Sequence, residues 1–167
     1  MANGEEIKKI RETLEDHEKR IKSLEGILIT KGKEAPTLSI GGISAERLAE
    51  KLGVDNKKLE ELFDIEDNNL TLLKVSGADE AEKTKNISLV VLLGYKYYFG
   101  NEKVLSKEIR RNVAENRIAV NNFATYLNEM IPSLIRRIGK SKSPKTTYKL
   151  TPLGEANAKE MIKELCK

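Results

Sequence analysis

The first apolar positions of the chain follow a seven-residue rhythm. Ile7, Ile10, Leu14, Ile21, Leu24 and Leu28 alternate three and four residues apart once His17 is counted into the series. That spacing predicts an amphipathic helix over residues 5–28, opened by Asn3 with Glu6 three residues on, whose a/d seam packs against a second helix of the same kind. The flanks suit a parallel pair, with Glu6 facing Arg11, Thr13 facing Glu18 and Arg20 facing Glu25 across the partner. An isolated helix of this length is marginal in water, so the seam calls for a partner. His17 reads as a tolerated polar layer that fixes register. Gly32 and Pro36 then break the chain in a linker.

After the linker the period changes. Residues 37–40 predict a short strand, and Gly41 with Gly42 a turn. Ser44 caps a helix with Arg47 at its third position and Ala45, Leu48, Ala49 and Leu52 on one face, and Gly53 ends it. Asp55 or Asn56 opens a second helix with Leu59, Leu62 and Phe63 inward, residues 67–69 turn, and 70–75 run extended. The stretch AERLAEKLGVDNKKLEELF resembles the first two helices of a helix-turn-helix. Its second helix, NKKLEELFDIED, is acidic after Lys57 and Lys58, and carboxylates are repelled by phosphates. The module at 37–76 is therefore expected to dock a protein through residues 44–67, or to act as a spacer, more than to read DNA.

A helix of about 21 residues is predicted from Asp79 to Phe99, stopped by Gly100. Ile87, Val90, Val91, Gly94 and Tyr98 share one face while Leu89, Leu92 and Leu93 lie on others, so burial on several sides is expected. Such a helix would join the middle module and the following domain in one body. Val104 and Leu105 are extended. Ser106 caps a helix, SKEIRRNVAEN, with Ile109, Val113 and Ala114 inward. A third helix at about 120–130 turns Val120, Phe123, Ala124 and Leu127 inward and ends at Pro132. Residues 135–138 form a strand, 139–145 a polar loop and 146–150 a second strand. Thr151 caps a last helix with Pro152 in its first turn and Ala156, Met161, Ile162 and Leu165 on its apolar face. Tyr95, Tyr97, Tyr98 and Tyr126 read as core rings with wet hydroxyls, and Cys166 as an inert thiol at a fraying end.

This order of elements is that of a winged helix-turn-helix. The stretch YKLTPLGEANAKEMIKEL is similar to the last wing strand and closing helix of many prokaryotic and archaeal winged-helix proteins, through Tyr148, Leu150, Thr151 and Gly154. VLSKEIRR resembles the strand and second helix of the same superfamily. The resemblance covers the C-terminal half, residues 79–167. It implies a third helix in the major groove and a wing on the backbone or minor groove. By that resemblance Asn121, Asn122, Thr125 and Asn128 are the candidate base contacts, since Asn pairs with adenine and Thr touches the thymine methyl. Lys140, Lys142 and Lys145 form the wing tip, Arg136, Arg137 and Lys149 flank it, and Lys107, Arg110, Arg111 and Arg117 lie on or after the second helix. The third helix departs from the pattern of sequence readers: it has no Lys or Arg and carries Glu129. Binding is then expected to rest mostly on phosphates and the wing.

Charge and composition sharpen this picture. The 167 residues have a net charge of +4 and are 34% charged. Residues 1–30 are net −1, 31–85 net −3 and 86–167 net +8; within 107–149 ten basic side chains meet three acidic ones. A basic back half suggests an anionic partner. One Cys and one His leave no internal disulfide and none of the usual zinc sets. No Gly-rich phosphate loop or Ser/His/Asp set points to an enzyme, and Asp64, Glu66 and Asp67 lack the pattern of a calcium loop. No cofactor is implied. No apolar run approaches the ~18 residues of a membrane span, and the acidic start does not resemble a signal peptide, so a cytoplasmic protein is expected.

The sequence thus predicts a mainly helical chain with a small β wing: a coiled-coil dimerisation helix at 1–30, a helix-turn-helix-like module at 37–76 and a winged helix at 79–167. The expected function is that of a homodimer binding double-stranded DNA, as a transcriptional regulator or chromatin-associated factor. The alternative is a non-enzymatic adaptor whose winged helix and acidic middle module both dock proteins.

Overall fold

A computed structural model of the chain describes residues 45–140 and 143–167. About half of these residues are helical, and two small antiparallel sheets accompany the helices. The described residues all fall in one compact unit, Ser39–Lys167. The heptad seam of 5–28, the strand expected at 37–40, the turn at Gly41 and Gly42, the Ser44 cap and the wing-tip Lys142 lie outside the described residues.

Helix α1 (Ala45–Leu52) buries Leu48, Ala49 and Leu52, and Gly53 ends it at a left-handed φ of +66°. Helix α2 (Asn56–Glu60) starts at Asp55, whose carboxylate accepts the Lys57 N–H at 2.8 Å. It is far shorter than the acidic helix expected from NKKLEELFDIED. Residues Phe63–Glu66 are instead strand β1, paired antiparallel with β2 (Asn69–Leu72) so that Phe63 faces Leu72 and Ile65 faces Leu70. The reason is local and tertiary together. Asp67 and Asn68 adopt φ of 46° and 63°, the left-handed pair that a two-residue hairpin loop requires and that Asp and Asn tolerate. Pairing then puts Phe63, Leu70 and Leu72 on one buried face, which continued helix would have spread around a cylinder.

Helix α3 (Glu80–Phe99) receives that face. Its Asp79 cap accepts the Glu82 N–H at 2.8 Å and Gly100 closes it in the left-handed conformation, φ 69°, as the sequence predicts. Buried residues run from Thr84 to Tyr97 on all sides of the helix. Its two buried aliphatic hydroxyls are satisfied within the helix: Thr84 donates to the Glu80 carbonyl at 2.7 Å and Ser88 to the Thr84 carbonyl at 2.6 Å. Gly94 marks the closest approach of the hairpin, since a Cβ there would lie 2.6 Å from Leu70 Cδ1. Hairpin and C-terminal elements share one core around α3.

The remaining elements are β3 (Val104–Leu105), α4 (Ser106–Glu115), α5 (Phe123–Glu129), β4 (Ile135–Ile138), β5 (Thr147–Leu150) and α6 (Pro152–Leu165). The three strands form one antiparallel sheet in the order β3-β5-β4. Ile109, Val113, Phe123, Leu127, Ile135, Tyr148 and Ile162 complete the core. Thr151 opens α6 by accepting the Gly154 N–H at 3.0 Å, while its hydroxyl donates to Ser133 O at 2.6 Å. Gly154 is required there, because any side chain would run into the Leu134 carbonyl.

Several local expectations are corrected. Ser106 is the first helical residue and not a cap; its N–H donates to the Thr146 carbonyl at 2.9 Å and so extends the sheet edge. The third helix spans Phe123–Glu129, not 120–130, because Asn121 and Asn122 form a turn before it. Ala114, Ala124 and Ala156 are exposed. A methyl group gains little from burial, so alanine marks a helix face weakly; the inward positions are taken by Asn112, Leu127 and Ala158. Cys166 is buried, not frayed: the Lys58 ammonium bonds the Lys167 carbonyl at 2.8 Å and holds the end of α6 in place. Burial pushes the Cys166 thiol pKa up.

Candidate nucleic-acid interface

Helix α5 is two turns long and presents Thr125 and Asn128 to solvent, with Phe123 and Leu127 anchoring its other side. Asn121 and Asn122 are also exposed, but in the turn that precedes the helix. The one acid of this helix does not project alone. Glu129 is bound by the Lys85 ammonium of α3 at 2.6 Å, so its charge is offset at source.

Strand β4 continues this surface. Alternation puts Ile135 and Arg137 on the core face of the sheet, with Tyr148 and Leu150 of β5. Ile135 fills the core, whereas Arg137 lies past its edge and reaches back, its Nη1 donating to Asn128 Oδ1 at 3.0 Å. Thus α5 and β4 are tied together at two residues singled out by the sequence. Arg136 points to the opposite face, directly across from Lys149. Lys140 and Lys145 are exposed in the loop after β4, which is folded by bonds from Ser143 N–H to Lys140 O at 3.2 Å and from Thr146 N–H to Ser143 O at 3.0 Å.

The basic residues of α4 divide. Lys107 and Arg110 are exposed, and Arg117 follows the helix at a φ of 58°. Arg111 turns away to the hairpin, where it donates to Leu70 O at 3.2 Å between Glu108 and Glu115. The structure therefore gathers Asn121, Asn122, Thr125, Asn128 and Arg137 around α5, and separates Arg111 from them. Arg110, Arg117, Arg136, Lys140, Lys145 and Lys149 form no ion pair among the described residues.

Other cations are committed. Glu155 accepts from Lys96 at 2.6 Å, Lys159 at 2.7 Å and the Tyr97 hydroxyl at 3.2 Å. Burial of that carboxyl acts to raise its pKa, but the hydrogen bonds and charges of Lys159 and Lys96 prevail and hold it at about 2. The hairpin side is acidic: Asp64, Glu66, Asp67 and Glu115 line a cleft of about 190 Å³. Among the described residues no group of three or more His, Cys, Asp and Glu could hold a metal ion, and no helix is long and apolar enough to cross a membrane.

Sequence reasoning missed Asn112. It is fully buried on α4 and stands in for a neighbouring strand. Its Oδ1 accepts the Leu72 N–H at 2.8 Å, and its Nδ2 donates to Leu70 O at 2.9 Å, while Asn116 Nδ2 donates to Leu72 O at 2.9 Å. The signal was present in the spacing, since Asn112 and Asn116 share the inward stripe with Ile109 and Val113. Comparison of the chain with protein-family models, curated proteins and solved structures finds no match.

Proposed function

We propose that residues 79–167 are a winged-helix domain that binds double-stranded DNA, with α5 toward the major groove and the loop between β4 and β5 as its wing. The element order from α3 to α6 and the β3-β5-β4 sheet support that reading. The observation that carries it is the joined surface of α5 and β4: exposed neutral amides and a hydroxyl, Arg137 held against Asn128, and, in the loop after β4, Lys140 and Lys145, which form no ion pair among the described residues. Cations without protein partners are available to phosphates, and amides at the helix are available to base edges. With no Lys or Arg on α5, affinity comes chiefly from the backbone and selectivity is modest. The acidic hairpin is outside the DNA surface.

The seam at 5–28 is proposed to pair two such chains in parallel, giving a dimeric transcriptional regulator or chromatin-associated factor. Titration of the full chain against a fluorescent random-sequence duplex over a salt series tests the DNA reading. A steep fall of affinity with salt is expected, since each phosphate neutralised contributes about 0.9 to the log–log slope. No binding at low salt would overturn it. That result would favour a second reading, protein docking, which draws on the half-exposed Ile65 and Leu73 of the hairpin region.

A further inference from the structure

The sheet of β3, β5 and β4 carries cations on both faces. Arg137 belongs to the face shared with α5, as its bond to Asn128 demonstrates. Arg136 and Lys149 are register partners on β4 and β5, so their side chains leave the sheet together on the other face. Like charges placed directly opposite one another in an antiparallel pair repel, and nothing among the described residues neutralises them. Lys149 is half-buried and also borders a small cleft with Leu92, Lys96, Glu102 and Leu150. There Lys96 is already bound to Glu155 at 2.6 Å, and Glu102 forms no ion pair with Lys149. Two opposed cations that form no ion pair among the described residues match an anion with two charged oxygens, such as a phosphodiester.

We propose that Arg136 and Lys149 hold the backbone of a second DNA duplex, so that the sheet stands between one duplex on the α5 side and another on its outer face. This rests on the reading of the α5 surface as DNA-binding, and it makes one chain a bridge between DNA segments. The repulsion between Arg136 and Lys149 is relieved only when the second segment is bound. The first duplex is engaged through α5, Arg137 and the loop, which the outer pair does not face.

The test uses the full chain, an immobilised duplex and a second, fluorescent duplex in solution. The wild-type chain should capture the fluorescent duplex on the immobilised one. Replacing the outer pair, Arg136→Gln with Lys149→Gln, should lower capture at least about tenfold at moderate salt, because two phosphates are no longer neutralised. Anisotropy should show affinity for a single duplex falling several-fold less than capture does, since Arg137, Lys140 and Lys145 remain. In contrast, Arg137→Gln with Asn128→Ala should weaken single-duplex binding itself. Arg136 is exposed and Lys149 half-buried, and an unchanged thermal melt verifies folding. Capture that persists in the outer double variant would place the second duplex elsewhere, on a second copy of the α5 surface, and overturn the proposal. So would equal loss of capture and of single-duplex binding, which would make the two faces one site. Single-duplex binding without any capture by the wild-type chain would overturn this inference alone. No binding of either duplex would overturn the function proposed above together with it.

Discussion

Asn112 shows what one polar side chain does in an otherwise apolar interface. Its carboxamide offers a donor and an acceptor at the spacing of a peptide group, so the outer edge of β2 is closed by α4 without a third strand. Replacing it by Ala would leave the Leu72 N–H without its partner in the interior, while the Leu70 carbonyl keeps its bond from Arg111. A buried group left unpaired costs about 1–3 kcal/mol, so Asn112→Ala is expected to lower stability by about that much in urea denaturation. A midpoint like that of the wild type would mean that water replaces the amide. Glu155 gives a second residue-scale expectation. Its folded pKa of about 2 is below the unfolded value of about 4.3, so its contribution is present above that unfolded value and is lost as pH falls through the folded one. Glu155→Gln should flatten the decline of stability between about pH 4.5 and 2. A variant that keeps the wild-type acid limb would remove Glu155 from the account.

At the scale of elements, two glycines set how closely backbones approach. A Cβ at Gly94 meets the mobile end of Leu70, whereas one at Gly154 meets the backbone carbonyl of Leu134. Overpacking typically costs about 1–3 kcal/mol where a side chain can yield, and more where it cannot. Gly154→Ala is thus expected to be the worse of the two, with thermal melting the comparison; the reverse order would show that the α6 turn shifts easily. The wing and α5 should also separate functionally. Changing Lys140, Lys142 and Lys145 to Ala should weaken binding to all duplexes alike and reduce the salt slope by about one unit for each phosphate no longer neutralised. Changing Thr125 or Asn122 should alter preference between sequences and leave the slope nearly intact. If Lys57 and Lys58 to Ala abolished binding while the wing variant bound normally, the surface would belong to the other half of the protein.

At the scale of the whole molecule, two sources of multivalency are proposed: pairing through residues 5–28 and a two-faced wing sheet. Linked sites bind with an effective concentration that raises avidity without new interactions. Light scattering should report a dimer of the full chain, and removal of residues 1–30 a monomer with weaker apparent DNA affinity. A full chain that is monomeric at tens of micromolar would refute the pairing. The hairpin is acidic, whereas Arg137, Lys140 and Lys145 lie on or after β4, so on the proposed reading an anionic duplex would be steered away from the hairpin.

Much of the architecture was legible from residue order. Asp79 and Gly100 bound α3, Thr151 and Pro152 open α6, and the 135–138 strand is where its apolar ends place it. These signals are local: a cap accepts a nearby N–H, and a glycine adopts a left-handed φ at no steric cost. Of the candidate site, the exposure of Asn121, Asn122, Thr125, Asn128, Lys140 and Lys145 was legible for a similar reason, as polar residues between apolar anchors. Three matters needed the folded chain. Residues 63–66 became a strand because burial against α3 and a left-handed turn outweighed the helical pattern of the residues before them. Arg111 and Arg137 are both arginines in basic stretches, yet one is spent on the Leu70 carbonyl and the other joins Asn128. Arg136 and Arg137 are adjacent in sequence but lie on opposite faces of the sheet, since charge sums carry no direction and the pleat of a strand does.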